Sequence, residues 1–327
     1  MRTLESINTR GKAVLKRVPF KRDLLAQEIQ NASRGDLRLD EPMGPHTTFG
    51  TGGPADLFFA PESLEDISKA LPYIRDSGLP VLPLGGGTNT LVREAGFRGL
   101  VICLTEGATR IEIVGDRGFA QAGASLQVFS RRCQRAGRTG MEFGCGIPGS
   151  VGGAVRGNAG AWGGETLDKV SQLNGIDLSS GDVVTLQKND VSFAYRHTDL
   201  SPDLLITEVY FDLAEEDPGV IQGRMDEMLS QRKATQPLWQ RNAGCLFKNP
   251  TGTSAGLLID QAGCKGLSVG AAQVSELHAN FVVNLGGGLA EDVLSLADQV
   301  RARVREESGA ELELEIRVVG EAGIENC

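Results

Sequence analysis

Hydrophobic and polar positions follow two different periods along the chain, and together they predict a mixed structure. A short apolar run at residues 56–59 is followed at 64–74 by apolar residues that recur every three or four positions, as in an amphipathic helix. Another apolar run at 80–84 leads directly into a glycine cluster, and short strands with one further helix follow as far as residue 136. This order of elements predicts an α+β fold.

After residue 164 the pattern favours strands and then returns to helices. Strands are predicted at 170–178, 183–186 and 204–213. Asp217 followed by Pro218 is typical of a capped helix start, and we place a domain boundary there. A long helix at 293–304 ends at Gly309, and residues 311–319 then alternate strictly between apolar and polar, which predicts a final strand.

Glycine is over-represented and concentrated in two places. The chain has 43 glycines in 327 residues, with one cluster at 85–87 and a second region at 137–164. Residues 144–149 spell G-x-G-x-x-G, but a dinucleotide fold requires the third glycine to open a helix. Further glycines occupy the place of that helix, so we expect no helix there and reject that fold. The first cluster also lacks the Gly-Lys-Ser/Thr of a P-loop.

Glycine-rich loops can nevertheless hold an anion, because backbone free of side chains lets several N–H groups approach one phosphate. Two such loops suit a ligand that carries both a pyrophosphate and a flat ring. The alternative is that they are simply connections in a turn-rich fold. For the three glycines at 85–87 alone that alternative is preferred, whereas the density at 137–164 favours a ligand.

Charge and composition exclude several classes. The formal net charge is −9, which argues against a nucleic-acid partner despite a basic stretch at residues 2–22. No apolar segment is long enough for membrane insertion, and none resembles a secretory signal. The six cysteines are scattered, which indicates reduced thiols, and His46, His197 and His278 are too dispersed for a metal site.

Several ordered motifs carry a family resemblance. They lie at 84–92, 146–154, 158–163, 194–196, 243–250, 274–278 and 312–315, and the match runs from about Thr47 to Gly320. In this order they resemble the flavin-binding loops and the substrate-side motifs of the UDP-N-acetylenolpyruvoylglucosamine reductase family. Only about twenty residues separate Arg196 from Asp217, so the chain resembles the shorter form of the family, without its tyrosine-bearing insertion.

The resemblance implies an FAD-binding fold of the vanillyl-alcohol-oxidase type, with two subdomains and a C-terminal α+β substrate-binding domain. The expected divisions are a basic tail and helix at 1–35, FAD-binding subdomains at 36–106 and 107–216, a substrate-binding domain at 217–308, and a returning strand and tail at 309–327.

The resemblance also implies an activity and its partners. The implied activity is an NADPH-dependent reduction of UDP-N-acetylglucosamine-enolpyruvate to UDP-N-acetylmuramate. It is expected in the bacterial cytoplasm, as a step of peptidoglycan synthesis. The FAD is expected to be non-covalent, and the protein is expected to be a monomer. Two alternatives stay open, namely an FAD-dependent oxidase of the same fold acting on a sugar or alcohol, and a non-catalytic nucleotide-sugar binding protein.

Three residues are expected to carry the chemistry. Arg196 suits a substrate carboxylate, because its planar fork matches a carboxylate bidentately. Glu315 is solvated by pattern alone, but the resemblance makes it the carboxylate of the active site, expected to work protonated or shared with Arg196. Cys245 occupies the position where many members have a proton-donating serine, and its thiol can protonate an enolate. Alkylation of this thiol is expected to inactivate the enzyme unless substrate is bound.

The remaining expectations concern binding. Backbone N–H groups of both glycine regions are expected to hold FAD, at Gly85, Gly86, Gly87, Thr88, Asn89, Gly146, Ile147, Gly149, Ser150, Gly152 and Gly153. Lys233, Lys248 and Asn249 are the candidates for contacts to the substrate's phosphates and uridine.

Overall fold

The computed structural model describes residues 19–325, so most of the basic stretch and Cys327 lie outside the described residues. The α-helices are Pro19–Ala32 (α1), Leu64–Ser77 (α2), Leu126–Arg135 (α3), Val151–Arg156 (α4), Thr166–Lys169 (α5), Pro218–Thr235 (α6), Ala255–Gln261 (α7) and Ala290–Ser308 (α8). The strands are Asp36–Pro42 (β1), Pro54–Ala60 (β2), Val81–Leu84 (β3), Thr90–Val92 (β4), Phe97–Cys103 (β5), Ile111–Val114 (β6), Arg117–Gln121 (β7), Arg138–Thr139 (β8), Gly160–Ala161 (β9), Gly164–Glu165 (β10), Val170–Asp177 (β11), Val183–Gln187 (β12), Phe193–Ala194 (β13), His197–Thr198 (β14), Leu204–Asp212 (β15), Ala214–Glu215 (β16), Ser268–Val269 (β17), Ala272–Val274 (β18), Val282–Asn284 (β19), Arg317–Gly320 (β20) and Gly323–Ile324 (β21).

The first sheet has the order β1-β2-β5-β3, in which β2, β5 and β3 are parallel and β1 is antiparallel. Helix α2 connects β2 to β3, beginning at the N-cap Ser63 and ending at Gly78 in the left-handed conformation. Leu57 and Phe59 of β2 pack in the core beneath α1 and α2, while Phe58 faces a separate apolar cluster on the other side. This two-residue period explains why β2 is apolar on both faces.

The second sheet is antiparallel, with the order β12-β11-β15-β7-β6. Helix α3 packs on it, and the ring of Phe129 lies 4.5 Å from that of Phe211. A third, smaller sheet, β17-β18-β19, has its own core with α7 and α8. Along α8 the buried residues recur at helical spacing, at Val293, Leu296, Val300 and Val304.

The second glycine region corrects the expectation that no helix could form there. Helix α4 covers Val151–Arg156 directly after Gly149, because the side chain of Ser150 accepts a hydrogen bond from Gly153 N at 3.2 Å and caps its first turn. The helix has only six residues. Gly152 permits its close approach to Ala122, where a side chain would collide.

The end of the chain also differs from the expectation of one strand over 311–319. Only Arg317–Gly320 forms a strand, and β20 pairs in parallel with β4, next to the first glycine cluster. The residues before it bond elsewhere, since Lys248 N donates to Glu313 O at 2.8 Å and Glu315 N donates to Leu246 O at 2.9 Å. The segment 313–317 therefore crosses from the 243–250 motif to the flavin-loop motif.

Helix α6 follows the predicted cap at Asp217, whose carboxylate accepts hydrogen bonds from Gly219 N and Val220 N. Its buried residues Ile221 and Met225 pack on Cys145, in the 3₁₀ turn Glu142–Gly146 of the second glycine region. Among the described residues, no helix is both long and apolar enough to cross a membrane. Nor do residues 19–325 group three or more His, Cys, Asp or Glu side chains in a way that could hold a metal ion.

Candidate active site

The two glycine regions meet each other directly. A Cβ atom at Gly85 would collide with the hydroxyl of Ser150, and one at Gly86 would lie 3.1 Å from the Cα atom of Gly149. The Thr88 hydroxyl donates to Pro148 O at 3.3 Å across the same contact. Several of these glycines are therefore required first by the packing of one loop on the other, and only then by any ligand.

Two adjoining cavities lie along this contact, with volumes of about 230 and 520 Å³. They share Gly86 and Thr105. The smaller cavity is also lined by Pro45, His46, Thr47, Thr48, Gly85 and Cys103, and the larger by Thr88, Thr109, Ile111, Gly123, Ser125, Val128, Arg132, Gly149 and Ser150. This lining offers main-chain amides, hydroxyls and one guanidinium group, and no carboxylate occurs among the lining residues described. Such a donor set fits the pyrophosphate of FAD.

Of the eleven residues predicted to hold FAD, five line these cavities: Gly85, Gly86, Thr88, Gly149 and Ser150. Of the other six, Gly87, Asn89, Gly146 and Ile147 lie in the same loops and Gly152 and Gly153 lie in the first turn of α4. Their role stays a prediction. Sequence reasoning missed the hydroxyl groups of Thr105, Thr109 and Ser125 and the guanidinium of Arg132. They come from segments that fold back onto the glycine loops, so only the three-dimensional packing assembles them.

Arg196 and Glu315 form an ion pair, with 2.8 Å between Arg196 Nε and Glu315 Oε1. Arg196 lies in the tight turn between β13 and β14 with φ at +55°, a conformation that a side chain rarely adopts. Its guanidinium also donates to Gly160 O at 2.8 Å and stacks over the ring of Tyr195. The two residues lie 119 positions apart in sequence, and the structure brings them into contact. Their catalytic roles stay predictions.

Glu315 differs from the solvated residue that its strand pattern suggests. Its side chain is only 17% exposed, and burial raises the pKa of Glu315 while the positive charge of Arg196 opposes that rise. A raised pKa favours the protonated carboxyl, which is the form expected for an acid that must not repel a developing enolate.

Cys245 is half-buried and its backbone bridges to Phe281. The pKa of its thiol is raised to about 12, chiefly by burial and then by the nearby Glu315 carboxyl, while the guanidinium groups of Arg196 and Arg232 act in the opposite direction. The thiol therefore keeps its proton at neutral pH. It is suited to donate that proton once, to a strong base, rather than to act as a resting nucleophile.

Of the predicted substrate-binding residues, Lys248 and Asn249 are engaged within the protein. Lys248 Nζ lies 2.5 Å from Glu313 Oε1, and Asn249 Oδ1 accepts from Ala255 N at 3.0 Å at the start of α7. Lys233 is exposed near the end of α6. Their contacts with substrate stay predictions.

Arg232 is a cation near the thiol that sequence reasoning missed. It continues the inward stripe of α6, at helical spacing from Met225, whereas the neighbouring Lys233 points away. Its Cδ atom would lie 3.2 Å from a Cβ at Gly146, beside the ring of Trp162. Burial lowers the pKa of Arg232. The period of the apolar stripe was the signal that could have selected it over Lys233.

Comparisons with known proteins agree with this geometry. The C-terminal domain of UDP-N-acetylenolpyruvoylglucosamine reductase matches residues 236–319, and an FAD-binding domain family matches residues 55–187. The chain is similar to the UDP-N-acetylenolpyruvoylglucosamine reductase of Geotalea uraniireducens, with 43% identity over 88% of this chain and 96% of the relative. The corresponding protein of Parvibaculum lavamentivorans is 44% identical over 88% of this chain and 92% of that one.

A solved structure extends the likeness to the fold. The crystal structure of UDP-N-acetylenolpyruvylglucosamine reductase from Thermus caldophilus aligns with a TM-score of 0.73 and 37% identity, covering 87% of this chain and 98% of that one. The predicted fold class, an FAD-binding fold followed by a C-terminal α+β domain, is confirmed.

Proposed function

The chain belongs to the UDP-N-acetylenolpyruvoylglucosamine reductase family, and from that premise we propose how this FAD-containing oxidoreductase of peptidoglycan precursor synthesis works. NADPH is the reductant, the enolpyruvyl ether of UDP-N-acetylglucosamine-enolpyruvate is the acceptor, and UDP-N-acetylmuramate is the product. The observation that supports this most directly is the convergence of Arg196, Glu315 and Cys245, from three separate segments, beside the flavin loops.

The reaction sets three tasks for the protein, which are to hold the carboxylate, to stabilise the enolate and to deliver a proton. FAD, when bound and reduced by NADPH, would supply hydride to one alkene carbon. Gly85, Gly86, Thr88, Gly149 and Ser150 are the residues that would hold it. Arg196 binds the substrate carboxylate, because its charge is permanent and its fork fits two oxygens.

Glu315 and Cys245 then act as a hydrogen-bond donor and a proton donor, respectively. A protonated Glu315 donates a hydrogen bond to the carboxylate as negative charge spreads onto it, which stabilises the enolate. Cys245 transfers its thiol proton to the other alkene carbon, and the S–H bond breaks as the C–H bond forms. The thiolate left behind is stabilised by the guanidinium groups of Arg196 and Arg232, whose positive charges already oppose the rise in the pKa of the thiol.

The experiment is an anaerobic absorption titration of the purified holoenzyme. NADPH should bleach the flavin band, and UDP-N-acetylglucosamine-enolpyruvate should restore it with formation of UDP-N-acetylmuramate, detected by mass spectrometry. Reoxidation by oxygen during turnover of an alcohol or sugar, without NADPH, would support the oxidase alternative instead. A purified protein without any flavin band would support the non-catalytic alternative.

Two further expectations belong to this proposal. We place the reaction in the bacterial cytoplasm, as the family resemblance implies. A monomer is the expected oligomeric state, and size-exclusion chromatography with light scattering tests it directly.

A further inference from the structure

Asn89 lies in the first glycine loop, yet its side chain contacts the C-terminal segment at Glu315. Its Nδ2 atom donates to the main-chain oxygen of Glu315 at 3.0 Å, across 226 positions of sequence. Its own main-chain oxygen accepts from Arg317 N at 2.9 Å, where β4 and β20 pair. Asn89 thus bonds on both sides of Ile316, through one side-chain and one main-chain bond.

These bonds continue into the segment that carries the thiol. Glu315 N donates to Leu246 O at 2.9 Å, and Leu246 N donates to Asn280 O at 2.8 Å. The buried Asn280 side chain in turn bonds both the N–H and the oxygen of Phe247. One row of hydrogen bonds therefore runs from Asn89 in the flavin loop to Glu315, and from Glu315 to Leu246, the residue after Cys245.

Within that row, Asn89 supplies the side-chain link to the flavin loop. We propose that Asn89 is a positioning residue, whose amide sets the Glu315 and Arg196 pair at a fixed place relative to the flavin loop. It acts through Glu315 and not on the substrate. This inference rests on the proposed function, because Glu315 matters for turnover only if the site performs the reduction described above.

The placement has a clear physical consequence. Glu315 pairs with Arg196 at 2.8 Å, so a displaced Glu315 backbone would displace both groups. Misplacement of reacting groups by about 1 Å can slow a reaction by about 10²-fold. Asn89 itself is exposed, so removal of its amide is expected to leave the fold intact.

The test compares Asn89→Ala and Asn89→Asp with wild type and with the control Asn174→Ala. The Asp variant keeps the size of the side chain but replaces the N–H donor with an oxygen. Asn174 is likewise a polar side-chain amide that makes a hydrogen bond, here to Glu208 at 2.9 Å in the second sheet. The FAD dissociation constant is measured first, by flavin fluorescence on titration of the apoprotein, and both half-reactions are then followed at saturating FAD.

We expect flavin reduction by NADPH to stay within threefold of wild type, while reoxidation by the enolpyruvyl substrate slows about 10- to 100-fold in both variants and stays unchanged in Asn174→Ala. Full recovery of reoxidation at saturating FAD would overturn the proposal, because Asn89 would then be a cofactor contact alone. Equal slowing of both half-reactions would overturn it as well.

A second readout is independent of activity. Hydrogen–deuterium exchange of a peptide covering residues 313–318 should be at least threefold faster in Asn89→Ala than in wild type, with no change in Asn174→Ala. Unchanged exchange in that peptide would overturn the positioning role. If wild-type enzyme failed to be reoxidised by the enolpyruvyl substrate, the proposed function would fail, while the exchange experiment would still decide the role of Asn89.

Discussion

The cradle formed by residues 85–88 and 146–153 presents main-chain amides and hydroxyl groups, whereas the pocket around Cys245 presents the charged side chains of Arg196 and Glu315. In the cradle, the glycines allow two loops to approach until their backbones touch. In the pocket, burial shifts the pKa of each acid away from its ordinary value. The cradle should therefore be sensitive to added atoms, and the pocket to lost charges and protons.

The largest expected effect comes from a substitution in the cradle, at Gly87. Gly87 has φ at +60°, and a Cβ there would overlap the main-chain oxygen of His46. Because backbone cannot yield as a side chain does, we expect Gly87→Ala to abolish measurable FAD binding and to destabilise the fold by more than about 3 kcal/mol. Flavin fluorescence titration and urea unfolding measure the two effects.

Gly115 offers a matched control for this substitution. It has nearly the same φ, at +57°, but no atom lies within 4 Å of a Cβ placed there. Gly115→Ala should therefore cost only the left-handed strain, about 1 kcal/mol, and leave FAD binding unchanged. Equal losses in the two variants would show that strain, rather than the close approach of the His46 backbone, is what Gly87 relieves.

The second prediction concerns a substitution that lowers turnover in the pocket and leaves FAD binding in the cradle unchanged. Glu315→Gln keeps the shape but replaces the acidic O–H donor with a weaker amide N–H donor, so we expect kcat to fall about 10²- to 10³-fold while the FAD dissociation constant stays unchanged. Steady-state kinetics and flavin titration provide the measurement. Full turnover in this variant would remove Glu315 from the mechanism, and weakened FAD binding would mean that the two regions are not separable.

The same contrast explains what could be predicted from sequence. Periodicity predicted α2 and α8, because each buries one helical face. The strands β11, β12 and β15 were predicted from short apolar runs between turns. The prediction from sequence was wrong at residues 151–156, where the low helix propensity of glycine argued against a helix. There the Ser150 cap and the contact with Ala122 outweigh the cost of two glycines in a helix of only six residues.

The site was predictable only where motifs marked it. Arg196 and Glu315 were paired by family resemblance, since no local pattern joins residues 119 positions apart. Thr105 and Arg132 line the larger cavity through folding alone. Glu315 had the alternating pattern of a solvated residue, because a period of two reports which face a residue occupies and not what covers that face.

The third prediction separates the proposed proton donor, Cys245, from the rest of the pocket. Cys245→Ala removes the donated proton, so we expect kcat to fall about 10²-fold or more, while Cys245→Ser should retain activity within about tenfold. Flavin reduction by NADPH should be unaffected in both variants, as stopped-flow absorbance would show. Unchanged turnover in Cys245→Ala would exclude the thiol as the donor.

The fourth prediction concerns the reactivity of the same thiol. With its pKa raised to about 12, Cys245 is almost entirely protonated at pH 7.5, and the thiolate is the species that reacts with iodoacetamide. Inactivation should therefore be at least an order of magnitude slower than for an ordinary exposed cysteine, and should speed up with pH through pH 10. Rapid inactivation at pH 7 would contradict the raised pKa.

The smallest effect is a change in the pH profile of kcat, and it distinguishes Glu315 from Cys245 within the pocket. If Glu315 acts protonated, activity is present below its raised pKa and is lost as the pH rises through it, so the basic limb of kcat reports Glu315. The pKa of Cys245 lies too high to contribute below pH 10. We therefore expect Cys245→Ser to leave that limb in place and Glu315→Gln to remove it from the residual activity. A limb that disappears in Cys245→Ser would assign it to the thiol instead and would place the pKa of the thiol within the working range of the enzyme.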